Sequence, residues 1–126
     1  MIFVDTNVFM YAVGRDHPLR MPAREFLEHS LEHQDRLVTS AEAMQELLNA
    51  YVPVGQNSTL DSALTLVRAL TEIWPVEAAD VAHARTLHHR HPGLGARDLL
   101  HLACCQRRGV TRIKTFDHTL ASAFRS

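Results

Sequence analysis

Two acidic residues follow short apolar segments near opposite ends of the chain. Asp5 comes directly after Ile2-Phe3-Val4, and Asp117 comes shortly after the segment 110–115. Apolar runs that contain β-branched and aromatic residues are typical of buried strands. The carboxyl ends of parallel strands lie at one edge of a sheet, where open α/β folds bind their ligands. If both strands belong to one parallel sheet, we expect the two carboxylates to lie close together.

A third acid, Asp98, is predicted to lie at the same edge. It falls in the first turn of a predicted helix, 96–108, directly after a loop that contains two glycines. Three carboxylates in one place repel each other unless a cation lies among them. Hard oxygen ligands suit Mg²⁺ or Mn²⁺, which polarise phosphate oxygens and activate water. The pattern therefore predicts a divalent-metal site that acts on phosphate esters.

Each of these acids also has a structural explanation. Asp5 and Asp117 can cap the helices that follow them, which is a common role of aspartate. Asp98 in a first helical turn interacts favourably with the helix dipole. Taken singly, each residue is explained in this way, and only their joint occurrence indicates a catalytic site.

The segments that must position these residues are predicted strands alternating with predicted helices. Strands separated by one or two helices indicate crossover connections and a parallel sheet covered on both faces. We therefore predict one α/β domain spanning residues 1–126, a three-layer α/β/α sandwich with a central parallel sheet of four or five strands. The strands are predicted near 1–4, 36–39, 73–76 and 110–115, with helices opened by capping residues at Thr39, Ser58 and Asp80.

Composition restricts the function only weakly. A formal net charge of −1 gives no overall attraction to nucleic acid, although basic residues, mostly arginine, outnumber acids in the last thirty residues. Arginine binds phosphate well, but a solvated surface explains this composition equally. The adjacent Cys104 and Cys105 suit neither a disulfide nor a zinc site. With no predicted leader or membrane span, we expect a cytoplasmic protein without membrane contact.

Four segments together resemble the PIN domain, and within it the VapC toxins of bacterial toxin–antitoxin pairs. The resemblance covers nearly the whole chain and is carried, in order, by IFVDTNVF, TSAEAMQELL, ARDLLHLA and IKTFD. It implies a PIN-like fold and a ribonuclease that depends on Mg²⁺ or Mn²⁺ and hydrolyses phosphodiester bonds in RNA. The implied catalytic residues are Asp5, Glu46, Asp98 and Asp117, of which Asp5, Asp98 and Asp117 are the expected metal ligands.

Glu46 is assigned by this resemblance alone. It lies outside the apolar stripe of its predicted helix, so that helical periodicity predicts a solvent-exposed side chain, and Glu42 is an alternative acid one turn earlier. Four further residues are expected at the substrate. Thr115 is a hydrogen-bonding helper, Asn7 steadies a carboxylate or bonds within a local turn, and Arg97 and Lys114 hold the RNA backbone or are ordinary surface charges.

The resemblance also implies partners. We expect a VapB-type antitoxin, an RNA substrate and a homodimer. An amphipathic helix of the antitoxin is predicted to bind exposed apolar residues near the early acidic motifs, namely Phe9, Met10, Tyr11, Met44 and Tyr51. The alternative is that these residues belong to the core or pair two copies of the chain. A catalytically weak or inactive RNA-binding PIN domain is the alternative. A phosphotransfer receiver domain is excluded because Asp5 has no acidic neighbour.

Overall fold

The computed structural model describes residues 1–125 and places four parallel strands in the order β3-β2-β1-β4. Helices flank this sheet on both faces, which confirms the predicted α/β/α sandwich. Along the chain the elements are β1 Ile2–Val4, α1 Thr6–Val13, α2 Arg20–Glu32, β2 Leu37–Ser40, α3 Ala41–Tyr51, α4 Asn57–Leu70, β3 Glu72–Trp74, α5 Ala78–Leu87, α6 Ala96–Arg107, β4 Ile113–Lys114 and α7 His118–Arg125.

The central strand β1 divides the core into two layers. Successive side chains of a strand point to opposite faces of the sheet. Ile2 and Val4 accordingly pack with helices α1 to α4, whereas Phe3 packs with Trp74 and the cysteines of α6. Phe3 and Val4 have no exposed surface. A short strand buried on both faces needs a continuous apolar run, which is what the sequence supplies.

The strand order creates a switch point between β1 and β4. From β1 the chain moves outward through β2 to β3, and it then returns across the sheet to pair β4 with the other side of β1. In open parallel sheets the crevice for ligands lies beyond the carboxyl ends at such a reversal. Asp5 follows β1 and Thr115 follows β4, so both residues lie at this crevice.

The predicted starts of the helices need correction. Ser40, not Thr39, caps α3: its hydroxyl accepts the amide N–H of Ala43 at 3.4 Å, while the Thr39 hydroxyl donates to the carbonyl of Val4 at 2.9 Å. Helix α4 begins at Asn57 without a side-chain cap, so the predicted cap at Ser58 is wrong.

Strand β4 is also shorter than predicted. Of the segment 110–115, only Ile113 and Lys114 form the strand. The amide of Val110 instead bonds to the carbonyl of Cys105 and closes helix α6. Because β4 is an edge strand that pairs with β1 alone, little holds the rest of the segment in the sheet. The third strand, predicted near 73–76, instead spans Glu72–Trp74 at the edge of the sheet, because Pro75 has no backbone N–H with which to continue it.

Asp80 is not the N-cap of α5, because Glu77 occupies that position, but as the N3 residue of a capping box its Oδ2 accepts the backbone N–H of Glu77 at 2.8 Å. Asp80 is fully buried and accepts hydrogen bonds from Arg107 at 2.7 Å and Arg108 at 2.8 Å. Burial alone would raise the pKa of Asp80, but Arg108, the Glu77 amide and Arg107 hold that pKa well below its usual range. These two arginines therefore tie α5 to α6.

The predicted partner surface is likewise partly wrong. Phe9 has no exposed surface and Tyr51 only 8%, because both belong to the core between α1 and α4. Met10, Tyr11 and Met44 are half-buried. Among residues 1–125, the structure contains no helix that is both long and apolar enough to cross a membrane.

Candidate active site at the carboxyl edge of the sheet

Asp5 caps a helix and also lies in the candidate site. It caps α1, because its Oδ1 accepts the amide N–H of Thr6 at 2.8 Å. Its Oδ2 accepts the hydroxyl of Thr115 at 2.7 Å, and this bond spans the switch point between β1 and β4. Only 5% of Asp5 is exposed. Capping and site formation are thus compatible, and two separate bonds fix the carboxylate.

Thr115 and Asn7 form a hydrogen-bonded chain behind Asp5. The Thr115 oxygen, which donates to Asp5, accepts the Asn7 amide N–H at 3.2 Å and the backbone N–H of Asp117 at 3.0 Å. The carbonyl oxygen of Asn7 in turn accepts the backbone N–H of Phe116 at 3.3 Å. The polar atoms of both side chains therefore orient Asp5 and the loop that follows β4.

Glu46 lies on α3, on the face of the sheet opposite to α6, and its side chain contacts His101 of α6. Its Oε1 accepts a hydrogen bond from Nε2 of His101 at 2.7 Å, and the same nitrogen lies 3.8 Å from Oδ1 of Asp5. The Glu46 side chain is only 15% exposed. The exposure predicted from helical periodicity is therefore wrong. The stripe through Leu47 faces α1 and α4, whereas Glu46 points over the open edge of the sheet, where His101 supplies a polar partner.

His101 is a residue of the site that the sequence analysis did not assign. It is fully buried on α6, with its ring centroid 5.2 Å from that of Phe3. Its Nδ1 has no hydrogen-bond partner among residues 1–125, so Nε2 makes its polar contact, with Glu46. The available signal was its position three residues after Asp98, which places both on one side of the helix.

Asp98 and Asp117 complete the acidic group. Asp98 lies in the first turn of α6, as predicted. Burial and the charges of Asp5, Asp117 and Glu46 raise the pKa of Asp98 to about 6, although His101 opposes this. Asp117 Oδ1 accepts the backbone N–H groups of Thr119 and Leu120 at the start of α7. Asp117 thus caps a helix and also contributes charge to the site.

The other ionisable groups respond to the same field. Burial raises the pKa of Asp5, with a further contribution from Glu46, and together these exceed the opposing effects of His101 and Thr115. Burial would also raise the pKa of Glu46, but the hydrogen bond and charge of His101 hold it below its usual value. Burial would lower the pKa of His101, but the hydrogen bond that its ring donates to Glu46 and the charges of the nearby carboxylates raise it.

The donor atoms fit a divalent cation. Single ligand atoms of Asp5, Glu46 and His101 lie within 4.8 Å of one another, and the charges of Asp98 and Asp117 are near enough to interact with them. An ion that took Nε2 of His101 would break its 2.7 Å bond to Glu46. Carboxylate oxygens are the preferred ligands of Mg²⁺ and Mn²⁺. A cation here would relieve the repulsion that raises the pKa of Asp98.

The two predicted backbone-binding cations lie at different depths. Arg97 is exposed at the start of α6, and its charge lowers the pKa of Glu46, so it lies at the rim of the acidic group. Lys114 is half-buried, with its ammonium 4.8 Å from the ring centroid of Phe116 and 5.5 Å from that of Phe26.

Comparisons with known proteins agree with this geometry. Residues 2–124 match the family described as PIN domain. Over 126 residues, which is the full length of both chains, the protein is 99% identical to Ribonuclease VapC23 of Mycobacterium tuberculosis (strain ATCC 25618 / H37Rv). It is 39% identical to Ribonuclease VapC13 of the same strain, over 93% of this chain and 90% of that one. The chain belongs to the PIN domain family, and within it to the VapC ribonucleases.

A solved structure extends the likeness of fold. The Mycobacterium tuberculosis toxin VapC20, described as cleaving the sarcin–ricin loop, superposes with a TM-score of 0.76 at 20% identity, covering 98% of this chain and 95% of that one. At that identity the superposition concerns the fold alone, and it confirms the three-layer architecture.

Proposed function

We propose that this protein is the toxin of a type II toxin–antitoxin pair and a Mg²⁺- or Mn²⁺-dependent endoribonuclease. The observation that carries the proposal is the convergence of Asp5, Glu46, Asp98 and Asp117 at the switch point of the sheet, where burial and the neighbouring carboxylates together raise the pKa of Asp98 to about 6. Carboxylates that repel one another in this way bind a divalent cation favourably. The names of the relatives support RNA as the substrate.

In the mechanism we propose, the chain's own residues set the positions. When bound, the divalent ion supplies positive charge that polarises a phosphodiester and assists deprotonation of the attacking water. Thr115 and the Thr6 amide each hold one oxygen of Asp5, so this carboxylate cannot rotate away. His101 keeps Glu46 ionised and directed at the same place. Asp98 and Asp117 complete the ligand set from the starts of α6 and α7.

Two basic residues are proposed to hold the RNA backbone on either side of the cut. Arg97 is exposed at the rim and free to bind phosphate. Lys114 is the last residue of β4, directly before Thr115, and its ammonium lies 4.8 Å from the ring centroid of Phe116. Contacts of this kind add affinity for any RNA without selecting a sequence.

The test is cleavage of single-stranded RNA by the purified chain, with Mg²⁺ or Mn²⁺ and then with excess EDTA. We expect cleavage that requires the metal and that is lost in Asp5→Asn, which retains an oxygen to cap α1. The exposed acid Asp61 on α4 provides a matched control, Asp61→Asn, which should cleave normally. Unchanged cleavage by Asp5→Asn would refute the site. RNA binding without metal-dependent cleavage by the wild type would instead support the inactive RNA-binding alternative.

The proposed antitoxin needs a surface different from the one predicted from sequence. A groove of about 580 Å³ lies between α1, α2 and α4 and is lined by Leu27, Leu31, Leu66 and Leu70. Leu31 is 66% exposed. An apolar groove bordered by the charged residues Arg24 and Glu28 suits an amphipathic helix. The family resemblance adds that the tail of the antitoxin brings a basic side chain into the acidic pocket and suppresses cleavage.

Co-expression with the adjacent small gene tests this partner. With a tag on one chain only, the antitoxin should co-purify and suppress cleavage, and Leu31→Asp should weaken the complex. If the partner fails to co-purify, or co-purifies without suppressing cleavage, the protein is a free-standing PIN nuclease.

We also propose that two copies associate in the cytoplasm. A cleft of about 430 Å³ between α5 and α6 is lined by Val81, Ala84, Leu99 and Leu100, and Val81 is 55% exposed. A second copy could cover this apolar surface. Light scattering should give a dimer mass for the wild type and a monomer mass for Val81→Asp, and a monomeric wild type would contradict the proposal.

A further inference from the structure

A second pocket lies beside the acidic site and is not used by the mechanism above. It has a volume of about 360 Å³ and lies between α1, the loop that follows α1, and the end of α3. We call it the Tyr11 pocket; its lining includes Asn7, Met10, Tyr11, Arg15, His17 and Tyr51. We propose that the Tyr11 pocket binds an unpaired nucleobase of the RNA, next to the phosphodiester that is cut. This inference rests on the proposed ribonuclease function.

The pocket is connected to the carboxylates by Asn7. The amide of Asn7 bonds to Thr115, and Thr115 bonds to Asp5. Tyr11 follows Asn7 by four residues on α1, so it lies on the same face, about 6 Å further along the axis. Stacked nucleotides rise about 3.4 Å per residue along one strand. A base in the pocket therefore belongs to a nucleotide one or two positions from the scissile phosphate.

The walls of the pocket provide aromatic surfaces for stacking. The ring centroids of Tyr11 and His17 are 4.6 Å apart with an angle of 30° between the rings. Phe116 meets Tyr11 edge-on at 5.6 Å. Proteins that recognise single-stranded RNA stack its unpaired bases on such rings. The base extends the stack of Tyr11 and His17.

The conformation of the loop that follows α1 holds the ring of His17 beside Tyr11. Nδ1 of His17 accepts the backbone N–H of Leu19 at 3.0 Å, which fixes the orientation of the ring. Gly14, where the loop leaves α1, tolerates no side chain, because a Cβ at this position would lie 2.7 Å from the carbonyl oxygen of Met10. The stacked rings are thus held in place by the backbone before any ligand arrives.

Unpaired polar groups at the pocket suit a nucleotide. Among residues 1–125, Arg15 makes no hydrogen bond or ion pair, and neither does the hydroxyl of Tyr11. These groups can bond to the edge of a base or to the adjoining phosphate. Asp16 gives the pocket one negative charge, and the ammonium of Lys114 lies 4.8 Å from the ring centroid of Phe116, which meets Tyr11 edge-on. An aromatic pocket with free donors and a continuous path to the carboxylates favours RNA over an apolar peptide.

The test uses fluorescently labelled single-stranded RNA of ten nucleotides, as four homopolymers and as copies that carry one abasic position. Binding is measured with EDTA to prevent cleavage. His17→Ala removes an exposed ring and should not affect folding, and Tyr11→Leu retains apolar packing. His89→Ala, at an exposed histidine of the α5–α6 connection that does not line the Tyr11 pocket, is the matched control. The variant proteins are also assayed for cleavage with Mg²⁺.

We expect about tenfold weaker binding for His17→Ala and for Tyr11→Leu, in the range found for loss of one stacked base, with an unchanged salt slope. For the wild type, an abasic nucleotide at the position that occupies the pocket should cause a similar loss. Unchanged affinity in both variants, with metal-dependent cleavage by the wild type intact, overturns the base pocket but leaves the ribonuclease. Loss of antitoxin binding without loss of RNA binding also overturns it. Absence of metal-dependent cleavage by the wild type refutes the proposed function instead.

Discussion

Replacement of Asp98 by asparagine should stabilise the metal-free protein. The pKa of Asp98 rises from 3.8 to about 6 because of burial and neighbouring charges, mainly that of Asp5. A carboxyl with a raised pKa in the folded state disfavours folding once it is ionised. The resulting loss of stability therefore develops as the pH rises from about 4 to about 6, and it is complete above that range.

The size of the effect follows from the pKa. One pKa unit corresponds to about 1.4 kcal/mol, so the full effect is about 3 kcal/mol. Asp98 is half-buried, and screening by solvent reduces this to about 1–2 kcal/mol. An asparagine side chain at this position has the same shape without the charge. For a chain of this length we expect the midpoint of thermal unfolding to rise by about 4–8 °C at pH 7.5.

The assay is thermal and urea unfolding in EDTA at pH 4 and at pH 7.5. Wild type and Asp98→Asn should be equally stable at pH 4 and should differ only at pH 7.5. Added Mg²⁺ should stabilise the wild type more than the variant, since binding to the folded state raises stability by mass action. A variant that is less stable than the wild type at pH 7.5 in EDTA would refute the repulsion from which the metal site is argued.

Three further predictions concern single contacts. His101→Ala should bind Mn²⁺ at least tenfold more weakly than the wild type, as is usual when a residue that holds metal ligands in place is removed. His101→Gln should bind Mn²⁺ more tightly than His101→Ala, and equal affinities of the two variants would exclude a positioning role. Arg97→Ala should weaken the binding of all RNAs alike and lower the salt slope of that binding by about 1. An unchanged slope would exclude a contact between Arg97 and phosphate. Asp80→Asn should cost about 2–4 kcal/mol in urea unfolding without changing cleavage per folded molecule.

The sequence predicted the convergence of those candidate site residues that depend on strand ends. A buried strand that stops at Asp5 and a second one before Asp117 were sufficient, because parallel strands place their carboxyl ends together. The same pattern could not define β4. Its length depends on pairing with β1 alone and on the competing bond from Val110 to Cys105, and neither is visible in local sequence.

Residues that depend on contacts between layers were harder to predict. Periodicity describes how a helix faces its own layer, so it placed Glu46 in solvent. The bond to His101 joins α3 to α6 around the edge of the sheet, across 55 residues of sequence. Asp80 shows the same limit, because its capping-box bond at the start of α5 is local, whereas its ion pairs with Arg107 and Arg108 join distant parts of the sequence. Only the family resemblance located Glu46.

The central claim is that the carboxylates at the switch point hold a divalent ion. Anomalous scattering from crystals grown with Mn²⁺ tests it most directly. We predict the strongest anomalous peak among the carboxylates of Asp5, Asp98 and Asp117, at about 2.1 Å from their oxygens, and no peak there in Asp5→Asn. No peak in this pocket, in wild-type protein that cleaves RNA at the same Mn²⁺ concentration, would contradict the claim.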